Sequence, residues 1–303
     1  MIQYSYPLDK IEHLTFLYNP NWIELSLYTG WFPVNLDDKN YSYKLTFDTP
    51  KNYQIISPGK IKKKGDKTII LNKENYFDIP VVISDDFQTF NSKNEKIKFY
   101  GTQLSNEQIK DIQHTSDNIY NFYTTIFGKS DSNELIVAVN PFAHQMSYAR
   151  KGFISLSLKS GFTNRDKQTL SHEIAHLWWI NAPFGNYEEW LNESFAEFSA
   201  LLWIKEKLSE EEFAKLLNKY ETAYKKTTKI SQTSPDEDNW YSITYLKGAY
   251  ILYRLEKKIG KEKMAIFLQQ VYSSKISNTR DLILLLEKNT NKDLAKEFAQ
   301  EIY

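Results

Sequence analysis

Residues 169–180 read TLSHEIAHLWWI, and no other stretch limits the chain's options so sharply. His172 and His176 are four apart, so on a helix one imidazole lies above the other and both can reach a single metal ion. Glu173 falls three residues before His176, beside such an ion rather than on it. There a carboxylate can take a proton from an activated water. Leu170, Ile174, Leu177 and Trp178 recur on another face at helical spacing, so the same helix has an apolar stripe to bury.

A hydrolytic metal takes three protein ligands and keeps a fourth position open for water. The chain has no cysteine and only five histidines, so the third ligand must be His, Asp or Glu. Residues 190–198, WLNESFAEF, provide it: Glu193 follows His176 by 17 residues, room for one turn-back and an adjoining helix. Glu197, one helical turn further on, can accept a hydrogen bond from the free nitrogen of a ligating histidine. Leu191, Phe195 and Phe198 around this pair set it apart from surface carboxylates.

The absence of cysteine excludes thiol catalysis, iron–sulfur clusters and cysteine-type zinc sites. Lys plus Arg and Asp plus Glu are equal at 38 each, which gives no reason to expect a nucleic-acid partner or a charged membrane surface. The chain opens without a basic-then-apolar leader, and no apolar run reaches about 18 residues, so no membrane insertion is expected. The expectation is a soluble protein, cytoplasmic if the chain is complete and secreted or periplasmic if a leader has been removed. Four of the seven tryptophans (Trp178, Trp179, Trp190 and Trp203) lie in the HExxH helix and its successor, which predicts a tightly packed core there.

Up to about residue 100 the pattern alternates. Tyr41, Tyr43, Leu45 and Phe47 are separated by Ser42, Lys44 and Thr46, and similar runs follow at 68–71, 81–83 and 97–100. Turn residues punctuate them at 19–21, 57–59 and 64–66. The reading is an antiparallel β-sandwich over residues 1–100, with the basic run 60–64 as a solvated hairpin. Helix takes over after Gly101: Ser105 and Gln108 form a capping box, and Gly128 ends the helix they open. Two short strands, 135–139 and 152–158, precede the HExxH helix. Further helices are expected at 190–208, after Ser209, and at 245–259, 261–272, 280–287 and 292–302. The segment 227–239, rich in Ser, Thr, Asp and Pro, is the one long loop.

HEIAHLWW, then WLNESFAEF, then the Tyr245-Leu-Lys-Gly sequence together resemble the gluzincin zinc metallopeptidases of the aminopeptidase N and leukotriene hydrolase family. Weaker likenesses at Gly30-Trp31-Phe32-Pro33, at Tyr148-Ala149-Arg150-Lys151-Gly152 and at Asn291-Lys-Asp-Leu extend the match over most of the chain. The resemblance implies a multi-domain α+β protein: the N-terminal sandwich, then a thermolysin-like zinc peptidase domain over residues 101–303, a small sheet plus a helical subdomain. It implies one zinc per chain on His172, His176 and Glu193, and a peptide or protein as substrate. Glu173 would be the general base for a zinc-activated water. Tyr245 would donate a hydrogen bond to the carbonyl oxygen in the transition state, and Tyr241, one turn earlier, is a further candidate for substrate contact.

Two departures stand out. The spacing from His176 to Glu193 is slightly shorter than usual for the family, which a shortened turn explains. The Gly-x-Met-Glu-Asn signature, whose glutamate grips a substrate's free amino terminus, is replaced at 146–152 by MSYARKG. No carboxylate lies in that stretch. Tyr148 and Arg150 are instead its candidates for substrate contact, although as isolated residues Arg150 and Lys151 read as surface groups. The expectation is also that the large C-terminal helical domain of many relatives is absent, leaving a more open cleft. The expected activity is therefore an aminopeptidase-like zinc peptidase. The alternatives are an endopeptidase, a peptidase acting on blocked amino termini, or a non-catalytic zinc-containing peptide-binding module.

Overall fold

Alternating residues find their partners across two small antiparallel sheets. The computed structural model describes residues 19, 21–34, 41–93, 95–132, 134–140, 142, 146–158 and 161–303. The first strands are β1 (Ile23–Leu25), β2 (Tyr41–Asp48), β3 (Gln54–Ile56), β4 (Lys60–Lys64), β5 (Lys67–Tyr76) and β6 (Val81–Ser84). They form one sheet in the order β1-β6-β3 and another in the order β2-β5-β4. Leu45 pairs with Ile70 and Phe47 with Thr68. Inward-facing Leu25, Tyr43, Ile55, Ile70, Val81 and Ile83 make the shared core, with Phe32 buried among them and Trp31 packed against them. This is the expected sandwich. The basic run is its edge strand, β4, exposed along its whole length, and its lysines discourage pairing with another chain.

Five further strands follow: β7 (Gln88–Asn91), β8 (Ile97–Gly101), β9 (Leu135–Asn140), β10 (Tyr148–Arg150) and β11 (Phe153–Ser157). They form a five-stranded sheet, β10-β11-β9-β8-β7, parallel between β8, β9 and β11 and antiparallel at both margins. Strand β6 is buried on both faces. Val81 and Ile83 enter the sandwich core, while Val82 joins Trp22, Ile56, Ala138, Tyr148 and Phe153. That accounts for its unbroken apolar run.

Helices make up the remainder: α1 (Asn106–Phe127), α2 (Asn164–Ala175), α3 (Trp190–Lys207), α4 (Glu210–Lys226), α5 (Gly248–Ile259), α6 (Lys261–Ser273), α7 (Thr279–Asn289) and α8 (Lys292–Ile302). The expected capping box opens α1: Ser105 Oγ accepts from Gln108 N, and Gln108 Oε1 accepts from Ser105 N. Ser209 caps α4 in the same sense. No helix among the described residues is long and apolar enough to cross a membrane.

Contacts divide the chain into two compact units. One comprises the described residues up to Asp117 together with Ser132–Asp166, and the other comprises Asn118–Asp131 with Lys167–Tyr303. Residues 88–101 therefore share a sheet with 135–157, across the boundary that alternation places after residue 100. Period-two alternation identifies a strand but does not say which sheet it joins.

Candidate metal centre

The centre is built on α2 and α3 within the second unit. His172 Nε2, His176 Nε2 and a Glu193 carboxylate oxygen converge: the two nitrogens are 3.2 Å apart, and Glu193 Oε2 lies 3.2 Å from His172 and 3.4 Å from His176. These three residues form a group that could hold a metal ion. The other nitrogen of each ring is already engaged. His172 Nδ1 is 2.7 Å from Glu197 Oε2, and His176 Nδ1 is 2.8 Å from the Trp179 carbonyl. Both acceptors require an Nδ1–H, which fixes the tautomer and turns each Nε2 lone pair inward. Glu197 is held in turn by Tyr220, whose hydroxyl donates to its second oxygen over 2.5 Å.

The helix ends where the second histidine needs it to. After Ala175 the turn tightens, with Leu177 N donating to the Ile174 carbonyl and Trp178 N to that of Ala175. The sequence predicts helix through residue 180, but tertiary packing ends it sooner. Trp178 is buried against Tyr120, Tyr123 and Phe127 of α1, and its indole donates to the Gly128 carbonyl at 2.9 Å. Trp179 lies against Phe127 and Phe195 and donates to Ser199 Oγ on α3. Burying each such ring contributes about 2–3 kcal/mol, against about 1 kcal/mol for one net hydrogen bond. Packing therefore sets the position of the turn, and with it the Trp179 carbonyl that orients His176.

Burial alone would disfavour charge on every group here. For Glu193 it is overruled by His176 and His172, which hold its carboxyl far below the usual range. Glu197 is lowered for the same reason by His172, assisted by the Tyr220 hydroxyl and Lys219. Burial would lower His172 too, yet Glu193 and Glu197 hold it well above the ordinary imidazole range, and Glu193 raises His176 in the same way. Two carboxylates facing two imidazoles call for positive charge between them, and a bound cation satisfies that call as protons do.

Asn192 fastens the approach to α3 by a reciprocal pair of bonds with the Ala182 backbone, 3.0 Å each. The helix expected from residue 245 begins earlier and differently, as a π-helical turn at Ser242–Lys247 that passes into α5. Tyr245 sits on that turn with its ring stacked on His172, centroids 5.7 Å apart and planes 11° from parallel. Tyr241, 47% exposed, lies against Tyr245 at 4.7 Å and carries Lys219 Nζ over its ring. Lys247, nearly buried, donates to the Thr227 and Thr228 carbonyls at the end of α4. Burial lowers its pKa.

The structure thus brings His172, His176, Glu193, Glu197 and Tyr245 together, with Glu173 close enough to act on both histidines and 7% exposed. Tyr148 and Arg150 lie in the first unit, engaged there. Tyr148 OH donates to Glu24 at 2.9 Å, and Arg150 Nε donates to Asp78 at 2.5 Å among the rings of Tyr28, Phe77 and Tyr148. Arg150 is therefore a buried residue, not the surface group it resembles in sequence; Asp78 neutralises it, and that makes its burial tolerable. Lys151 is exposed and paired with Glu74. His13 and His144 fall outside the described residues. Sequence reasoning missed Tyr220, one of 21 tyrosines with no local signal, and the π turn.

Residues 157–301 match the Peptidase family M1 domain. Solved structures share the fold at low identity. An M1 zinc metallopeptidase from Deinococcus radiodurans, in a glutamate-to-alanine variant, aligns with a TM-score of 0.64 at 14% identity, over 87% of this chain and 64% of its own. The protein without that substitution gives a TM-score of 0.65 at 14% identity, over 90% and 67%. A two-domain M1 zinc metallopeptidase variant bound to L-arginine gives 0.68 at 15% identity, over 90% and 66%. The chain spans a little under two thirds of the length of the first of these. With them it shares a mixed α+β architecture in which antiparallel sheets precede a helical unit.

Proposed function

We propose that this chain is an M1-type zinc metallopeptidase that hydrolyses peptide bonds. The observation that carries the reading is the convergence of His172, His176 and Glu193 with both distal imidazole nitrogens already committed. Tetrahedral ligands about 2.0–2.1 Å from zinc stand about 3.3 Å from one another. The donor separations here are 3.2, 3.2 and 3.4 Å. The donor set also suits zinc chemically, with two imidazoles and one carboxylate, the three protein ligands of a catalytic site.

Bound there, zinc supplies Lewis acidity, which acidifies a water and polarises a substrate carbonyl. Glu173 takes that water's proton and passes it to the leaving amine. The Tyr245 hydroxyl donates to the carbonyl oxygen as negative charge builds on it. Glu197 keeps His172 in the tautomer that presents Nε2, and Tyr220 keeps Glu197 in place. Tyr241, exposed beside Tyr245, would be a further substrate contact. A binding module without turnover would need neither a base at Glu173 nor a phenol over His172.

The family resemblance favours release of amino-terminal residues, but the carboxylate that should hold the free amine is missing from residues 146–152. Glu188 and Glu189, which precede α3 in sequence, could supply another carboxylate, but both are engaged. Glu188 Oε2 accepts from Thr279 N and Oγ1 at 2.7 and 2.6 Å, and Glu189 accepts from Gly185 N at 2.7 Å. A peptidase that tolerates a blocked amino terminus is therefore the second reading. Acetylating a peptide's amino end is expected to lower kcat/KM less than tenfold, under ~1.4 kcal/mol of transition-state binding. The check is paired free and acetylated peptides of several lengths. Strict dependence on the free amine, with single residues released in order, would restore the aminopeptidase reading.

A further inference from the structure

The residue after the ligand Glu193 has no part in the chemistry above, yet it is completely buried and strongly bonded. Ser194 Oγ donates to the Thr244 carbonyl over 2.5 Å, 50 residues away in sequence and one residue before Tyr245. In an α-helix the Thr244 carbonyl would receive the amide of Gly248, four residues on. Here the Gly248 N–H turns to the Ile243 and Tyr245 carbonyls instead, which is what makes the turn π-helical. A buried carbonyl deprived of a partner costs about 1–3 kcal/mol. The serine hydroxyl supplies that partner, so it stabilises the π turn relative to an ordinary helix.

Close approach makes the bond feasible. A Cβ at position 248 would stand 1.9 Å from Ser194 Oγ and 3.0 Å from Trp190 Cε3, so only glycine lets α3 and the turn meet at this distance. π turns inside helices are frequent at functional sites, where the extra residue re-aims the side chains that follow. The side chain carried here is Tyr245, stacked on the ligand His172.

We propose that Ser194 is a positioning residue for Tyr245. It ties the helix that bears Glu193 to the turn that bears the phenol, and so sets the tyrosine's hydroxyl relative to the metal and the substrate carbonyl. The inference rests on the reading of Tyr245 as the transition-state donor. Misplacement by about 1 Å costs on the order of 10²-fold in rate, and one lost hydrogen bond leaves room for such a shift.

The test is a double-mutant cycle with two readouts that a general loss of stability would not reproduce. Ser194→Ala should keep one zinc per chain and lower kcat by about 10- to 100-fold, with KM changed less than about threefold. In a Tyr245→Phe background the same change should alter kcat less than about twofold, because the group it positions is already gone. Amide exchange over residues 242–248 should quicken in Ser194→Ala while α3 keeps its protection. An equal loss of kcat in both backgrounds would overturn the proposal, as would unchanged exchange. If Ser194→Ala does not fold, Ser194→Cys, nearly isosteric and a weak donor, should show a smaller loss with the same dependence on Tyr245, and a loss independent of Tyr245 overturns the proposal equally. Should Tyr245→Phe alone leave kcat unchanged, the donor role fails and the positioning role falls with it. The exchange data then show separately whether the tie itself exists.

Discussion

Replacing Glu173 by glutamine is expected to leave one zinc per chain and to slow peptide hydrolysis at least ~10²-fold, the lower end for loss of a general base. Glutamine keeps the size and the polar oxygen of the side chain but cannot take a proton. None of the three candidate ligands is touched, nor Glu197 and the Trp179 carbonyl that orient the two rings. Glu173 is nearly buried on α2, so exchange for a neutral isostere removes a charge without opening a cavity. The folded state should therefore melt close to the wild type. Near-normal turnover with zinc bound would exclude the water-activation mechanism with Glu173 as its base.

Tyr245→Phe is expected to lower kcat by about 10²–10³ while KM changes little. The ring stays, and so does its stack on His172. On the proposed mechanism what goes is a hydroxyl whose hydrogen bond strengthens only as charge develops on the carbonyl oxygen, so the loss would belong to the transition state and not to substrate binding. Steady-state kinetics on a peptide of fixed length separate the two. A rise in KM with kcat preserved would make Tyr245 a binding residue and remove the donor from the mechanism.

The parts of this centre differ in how far the sequence announces them. The His172–His176 pair is legible because a four-residue spacing on a helix has one geometric meaning. Glu193 is legible because a hydrolytic metal needs a third ligand and the next helix carries a carboxylate among apolar residues. Glu197 follows from the same helical arithmetic, and the structure places it on His172 Nδ1. Tyr220 could not be read this way: its bond to Glu197 joins α4 to α3, and no local spacing encodes a contact between helices. The π turn was hidden because apolar periodicity tolerates one extra residue, and the bond from Ser194 to Thr244 that accompanies it joins residues 50 apart in sequence. The sandwich strands were legible from alternation and from the turns between them. Strand β8 was legible as a strand, but its partner β9 lies beyond a helix of 22 residues, a pairing that alternation cannot specify.

All of this hangs on one metal held by three named side chains, so zinc content per chain is the decisive quantity. The measurement is elemental analysis of the wild type and of His176→Ala after exhaustive dialysis, with folding of both followed by circular dichroism. The wild type should retain one zinc per chain and the variant should lose stoichiometric metal while remaining helical. A folded His176→Ala chain that still holds one zinc, or a wild type that holds none when zinc is supplied, would contradict the account.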